Sequence, residues 1–205
     1  MDLQQGVAFA VALAVLFNPA AAVAPYLKLS LDLDAETKVR MAKRAAALYL
    51  LMLLLIIWLG VLGLRSLGIS VPGLMTTGAV ILLVCSLPAV NGNFFAGIDP
   101  EASRGKDWRS LALVPIVFPL SYGGGSIAFL VASSAEFYDL PGLLLLSLGA
   151  GLVALLAYAI FSRAEWLAGR LGPSGVEVMN RAGGIILAAL AVQMLVTGVV
   201  GMLRT

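Results

Sequence analysis

Six stretches of about twenty mostly apolar residues follow one another along the chain, at Gly6–Leu27, Ala45–Leu64, Pro72–Val90, Ser110–Ala132, Pro141–Phe161 and Ala182–Leu203. A run of that length is what a helix needs to cross a bilayer. Of all residues, 61% are hydrophobic and 12% charged, against about 45–50% and about 25% in soluble domains. The chain therefore reads as an all-α membrane protein of six transmembrane helices, one transmembrane domain over residues 1–205. The opening MDLQQG carries no Lys or Arg, and the first apolar run exceeds the core of a signal peptide, so it is read as a retained helix.

Two of the six runs are interrupted. Val7–Leu29 reads VAFAVALAVLFNPAAAVAPYLKL, with Asn18-Pro19 in its middle and Pro25 beyond. Proline lacks the N–H a helix interior needs, and its ring clashes with the carbonyl one turn back. In hydrocarbon, freed backbone groups are tolerated only where protein or a wet cavity satisfies them. The fourth run, LVPIVFPLSYGGGSIAFLV, repeats the design with Pro115, Pro119 and Gly123-Gly124-Gly125. Helices 1 and 4 are thus expected to be broken or kinked near mid-membrane, facing the interior. Helices 3 and 5 open on Pro72 and Pro141, a favoured first-turn position, and helix 3 is expected to end near Pro88.

Eleven of the thirteen Lys and Arg lie in the connections between helices 1 and 2, 3 and 4, and 5 and 6; the others are Arg65 and Arg204. Cations accumulate on the cytoplasmic side, which predicts both termini outside. These charges sit in short juxtamembrane loops and set topology against lipid headgroups, so a nucleic-acid partner is excluded. Trp108 and Trp166 are the best placed interfacial anchors.

Internal similarity points to two units. Pro19 and Pro119 hold matching places in their spans, and LGISVPGLM (Leu67–Met75) parallels LGPSGVEVM (Leu171–Met179). Units at 1–90 and 108–205, joined by a polar linker at 91–107, contain three helices each. Three is odd, so the second unit enters from the opposite face and forms an inverted repeat. Two interrupted spans in corresponding halves are a sequence pointer to a transport site.

All eleven acidic residues lie outside the spans or at their ends, and there is no histidine. A carboxylate or His proton relay across the membrane, a catalytic triad and a metal cluster all lack their residues, so no enzyme activity and no cofactor are expected. What remains in the apolar zone is hydroxyls and amides (Asn18, Thr76, Thr77, Ser86, Ser121, Tyr122, Ser126, Gln193, Thr197) and the backbone freed at Pro and Gly. That set suits a small zwitterionic solute. A half-helix N-terminus favours a carboxylate, and freed carbonyls favour an ammonium or Na⁺. Asn18, Pro19, Pro119, Gly123, Gly124, Gly125 and Ser126 are the candidate substrate-binding residues. The competing reading of the glycine triplet is close helix contact, since small residues let helices approach. Gln193 reads as an interhelical hydrogen-bonding residue, and Cys85, the single cysteine, as a small packing residue.

The run LGPSGVEVMNRAGGIILAALAVQMLVTGV (Leu171–Val199) resembles the closing segment of the MarC family of bacterial and archaeal inner-membrane proteins. Leu171 to Gly175, Arg181 and Ala191-Val192-Gln193 carry that likeness. Gly68-Ile69-Ser70 is similar to the family's Gly-Ile-Ser, and Asn18-Pro19 to its Asp/Asn-Pro. The chain departs from the pattern at Ala21, where the family usually has Gly, at Pro25, one place late, and in Ser121-Tyr122-Gly123-Gly124-Gly125-Ser126. The resemblance implies a multi-pass protein of the cytoplasmic membrane that transports small neutral amino acids such as glycine and alanine. The alternative from the residues is a membrane scaffold or regulatory protein without transport. Na⁺ coupling and uncoupled exchange are both open, as is the oligomeric state.

Overall fold

The structure, a computed structural model, describes residues 3–17, 23, 26–27, 29–30, 33–90 and 124–204. The described residues are helical and contain no strand: α1 (Leu3–Phe17), α2 (Ala35–Leu67), α3 (Val71–Val90), α4 (Gly124–Glu136), α5 (Leu140–Ser162) and α6 (Ala164–Leu203). Four segments are long and apolar enough to span a bilayer, Ala35–Leu67, Val71–Pro88, Leu140–Ser162 and Arg181–Leu203. The remaining two, α1 and α4, are the helices with interruptions in their sequence. α1 is described as far as Phe17, the residue before Asn18, and α4 from Gly124, inside the glycine triplet. Kinking at Asn18-Pro19 and Pro119, the linker 91–107 and Trp108 lie outside the described residues.

Local chemistry explains the helix ends. The Asp34 carboxylate accepts from Thr37 N–H, satisfying one of the unpaired first-turn donors of α2. At the other end Gly68, at φ 68°, lets its own N–H reach Arg65 O and Ile69 N–H reach Leu64 O, a left-handed C-terminal cap. Two residues on, Ser70 Oγ accepts from Gly73 N–H and opens α3. α5 opens with proline in its first turn, as expected. α3 is described over Val71–Val90 and carries Pro88 in its last turn, close to the expected span. One expectation needs correction. α2 and α6 begin about ten and eighteen residues earlier than the apolar pattern placed them (α2 at Ala35, α6 at Ala164). Both extensions are charged, with Glu36–Arg40 and Glu177–Arg181 pairs one turn apart, which supports a helix without lipid burial. The extension of α6 is broken at Gly172, whose φ of 65° and ψ of 174° are not helical.

Large apolar side chains point outward along the long helices, among them Leu51, Leu55, Leu59, Val80, Val84, Leu148, Leu155 and Val196. An apolar exterior of this extent fits lipid rather than water as solvent. Cys85 is exposed on α3, so it is not the packing residue that the sequence implied. Gln193 is also exposed and does not bridge helices inside the bundle.

Inside, the packing forms two layers. α2 and α5 share one cluster, including Tyr49, Leu53, Ile57, Leu146, Ala150 and Ala157. α3 and α6 share another, with Ala79, Leu82, Leu187, Ala191 and Met194. The short helices lie between. α1 gives Leu13 and Phe17 to the first cluster and Leu16 to the second, and α4 gives Leu130 to the first and Ala128 to the second. In lipid there is no hydrophobic drive between apolar helices, so close backbone approach carries the association. Glycine supplies it. A Cβ on Gly198 of α6 would meet Thr76 N at 2.9 Å and Pro72 O at 3.0 Å, and one on Gly149 of α5 would meet Phe9 at 3.0 Å.

Candidate functional site

Of the sequence-derived site residues, Asn18, Pro19, Pro119 and Gly123 lie outside the described residues. Gly124 is the first residue of α4. Gly125 and Ser126 follow it into the interior, both buried. Gly125 faces α3: a Cβ there would come within 2.8 Å of Leu82 Cβ. The helix-contact reading therefore accounts for this glycine by itself. The structure brings Ser126 to the start of α4 beside that contact.

Ser30, Ser86, Ser126 and Ser134 are the buried polar residues outside the aromatic core among those described. Ser30 Oγ donates to Leu27 O, Ser86 Oγ to Leu83 O at 2.7 Å and Ser134 Oγ to Leu130 O at 2.7 Å. Thr76, Thr77 and Thr197 likewise donate to carbonyls four residues back in their own helices. This back-bonding satisfies a hydroxyl within one helix and leaves little for a ligand. Among the described residues no such bond is seen from Ser126, and the carbonyls three and four residues before it, Gly123 and Tyr122, lie outside them. Ser126 lies two residues from the first described residue of α4. A buried hydroxyl is a donor that a carboxylate can use.

At the far end of α1 the interior is closed. Phe17 packs against Tyr49 at 5.4 Å and edge-on to Phe161 at 5.9 Å, and Tyr26 stacks on Phe161 at 4.9 Å. Tyr26 OH donates to Lys38 O at 2.6 Å, and Lys38 Nζ donates to Glu165 Oε1 at 2.6 Å. This seal joins residues from both ends of the sequence. At the opposite end of α2, the Arg65 guanidinium lies 5.5 Å from the centre of the Tyr138 ring, a cation–π contact. The sequence did not single out the aromatic seal. Its signal was Tyr26 and Tyr49 in otherwise aliphatic runs, where a phenol needs a partner for its hydroxyl.

Among the described residues no three His, Cys, Asp or Glu side chains converge on a metal position. A groove of about 320 Å³ runs between α1 and α5, lined by Gly6, Ala10, Ala14, Gly149, Val153 and other apolar residues. Its walls carry no group that would hold a zwitterion. Trp166 is exposed at the start of α6 with Arg170 over its ring at 5.4 Å, a fitting interfacial anchor. Trp58 instead ties α2 to α5 by donating to Ser147 Oγ at 3.1 Å.

Known proteins give the family. Residues 3–203 match the family described as MarC family integral membrane protein. A UPF0056 membrane protein of Methanocaldococcus jannaschii is 31% identical over 99% of this chain and 100% of its own length. The UPF0056 inner membrane protein MarC of Salmonella paratyphi A is 25% identical over 100% of this chain and 99% of its own. The UPF0056 membrane protein YhcE of Escherichia coli is 26% identical over 71% of this chain. No solved structure matches the chain. With a match across nearly its full length and an apolar, lipid-facing helical bundle, this chain belongs to the MarC family of integral membrane proteins.

Proposed function

We propose that the protein is a secondary transporter or exporter of small neutral amino acids, glycine- or alanine-like, working by alternating access. The observation that carries this reading is the buried Ser126 hydroxyl near the described start of α4, in a bundle that also holds the short helix α1. α1 is described up to Phe17, next to Asn18-Pro19, and α4 from Gly124, with Ser126 buried two residues on. The N-terminal N–H groups of α4 and the Ser126 hydroxyl would hold the substrate carboxylate. Asn18 and carbonyls freed at Pro19 and Pro119 would receive the ammonium.

The alternating-access reading uses two inverted three-helix units, at 1–90 and 108–205. Three features support them. α2 packs on its counterpart α5, and α3 on its counterpart α6. α1 meets α5 at Gly149, and α4 meets α2 where Val131 comes within 2.8 Å of a Cβ on Gly60, so the cross-contacts exchange as a two-fold axis requires. The glycines in Leu67-Gly68 and Leu171-Gly172 also share a positive φ. The basic connections then face the cytoplasm with both termini outside, in the inner membrane named for the Salmonella relative. In that orientation the Phe17–Tyr26–Phe161 seal closes the cytoplasmic side. Uptake and exchange of radiolabelled glycine and alanine in proteoliposomes test the proposal, with Na⁺ and pH gradients imposed in turn.

A further inference from the structure

Gly68 and Gly172 are the positive-φ glycines among the described residues, and they occupy the same place in Leu67-Gly68-Ile69-Ser70 and Leu171-Gly172-Pro173-Ser174. Gly68 has φ 68° and ψ 20°, while Gly172 has φ 65° and ψ 174°. A Cβ at either would meet nothing within 4 Å. Neither position is glycine for lack of room. Each is glycine for its backbone, which takes torsions that most other residues avoid.

Both glycines stand where the chain passes from one packed layer to the other. Before Gly68, Leu53 and Ile57 of α2 belong to the α2–α5 cluster; after it, Ala79 and Leu82 of α3 belong to the α3–α6 cluster. Before Gly172, Ala164 is buried in the first cluster with Leu167 and Ala168 against it; after it, Leu187, Ala191 and Met194 lie in the second. α3 and α6 run antiparallel, because Pro72 and Thr76 meet Gly201 and Gly198. The two glycines therefore lie at opposite ends of that pair. Their close approach leaves α3 and α6 little freedom to slide on each other.

We propose that α3 and the spanning part of α6 turn as one rigid body against the α2–α5 layer, with Gly68 and Gly172 as the two hinges. A hinge is a few terminal residues that absorb a φ/ψ change while the packed elements stay whole. The short helices α1 and α4, wedged between the layers, would feel the rotation directly. The proposal rests on the transporter reading for what the motion accomplishes, but the motion is measurable without flux.

The hinges differ in a way that sharpens the test. The Gly68 torsions fall in the left-handed region that Asn tolerates, whereas those of Gly172 fall in a region held almost solely by glycine. Pulsed dipolar spectroscopy on the full chain in nanodiscs, in a Cys85→Ala background, reads the distances. Spin labels at Leu148 and Val196 report across the layers, and labels at Val80 and Val196 report within the α3–α6 pair; all three sites are exposed. The expected result, with and without glycine, is two cross-layer distances and one within-pair distance. Gly68→Asn should keep both cross-layer distances, and Gly172→Ala should leave one. A single narrow cross-layer distance in the unmutated hinge background, under every condition, would overturn the proposal. So would within-pair distances that change along with the cross-layer ones. Two cross-layer distances without amino-acid flux would support the hinges and remove the substrate assignment. Flux with one cross-layer distance would remove the hinges and leave the transport reading in place.

Discussion

Lys38 Nζ lies 2.6 Å from Glu165 Oε1, tying the start of α2 to the start of α6 across 127 residues of sequence. The pair caps the aromatic seal, since Lys38 O also receives the Tyr26 hydroxyl. Its Glu165 side chain is 67% exposed, and such pairs contribute about 0–1 kcal/mol to stability. Glu165→Gln should therefore leave the melting temperature nearly unchanged. It should instead weaken the seal and raise the reactivity of a cysteine placed at Ala164, buried beside it, toward a water-soluble maleimide. Charge reversal at both positions, Lys38→Glu with Glu165→Lys, should restore protection; equal labelling in all three proteins would contradict the latch.

Ser126 and Ser134 give a matched pair of substitutions on one helix. Ser134→Ala removes a hydroxyl that only back-bonds to Leu130 O, so flux should stay within about twofold of the parent, a change of under about 0.5 kcal/mol. Ser126→Ala should retain the fold and lower substrate affinity about tenfold, the loss of one hydrogen bond to a charged group at about 1.5 kcal/mol. Binding isotherms with glycine decide between them, and equal affinities would remove Ser126 from the site.

Glycine contacts predict opposite signs at two positions. Gly198→Ala forces a Cβ against the Thr76 and Pro72 backbone, and overpacking of this kind costs about 1–3 kcal/mol. Gly63→Ala meets nothing within 4 Å in the interior of α2, and should stabilise by about 0.5–1 kcal/mol through lower backbone entropy in the unfolded chain. Thermal unfolding in detergent reads both.

The α2 cap should be acid-sensitive. Its bond from Thr37 holds the Asp34 carboxyl below the usual carboxylate range. A carboxyl whose folded value is lowered stabilises above its unfolded value and loses that contribution as pH falls through the folded one. The cap thus contributes at neutral pH and fades on acidification below about pH 4. Asp34→Ala should lower the melting temperature at neutral pH and make no difference in strong acid.

The long apolar helices and their proline-led starts were legible in the sequence because lipid demands continuous runs of apolar residues. The amphipathic beginnings of α2 and α6 were not, since Arg40 and Arg181 look like loop charges unless their one-turn pairing with Glu36 and Glu177 is followed. The Leu-Gly-x-Ser match at Leu67 and Leu171 was visible as repetition, but its backbone meaning needed the torsions of Gly68 and Gly172. Gly125 and Ser126 are adjacent in sequence and both buried, and the contact of Gly125 with Leu82 needed the packing of α4 on α3 to be seen. Which hydroxyls back-bond depends on side-chain rotamers, and composition carries no record of that.

Saturable flux of glycine or alanine through purified protein in liposomes, compared between parent and Asn18→Leu, tests the central claim most directly. The account predicts concentration-dependent uptake by the parent and its loss in the variant, with insertion and melting temperature preserved. Neutral amino acids moving no faster than in empty liposomes, or equal flux in the two proteins, would contradict it.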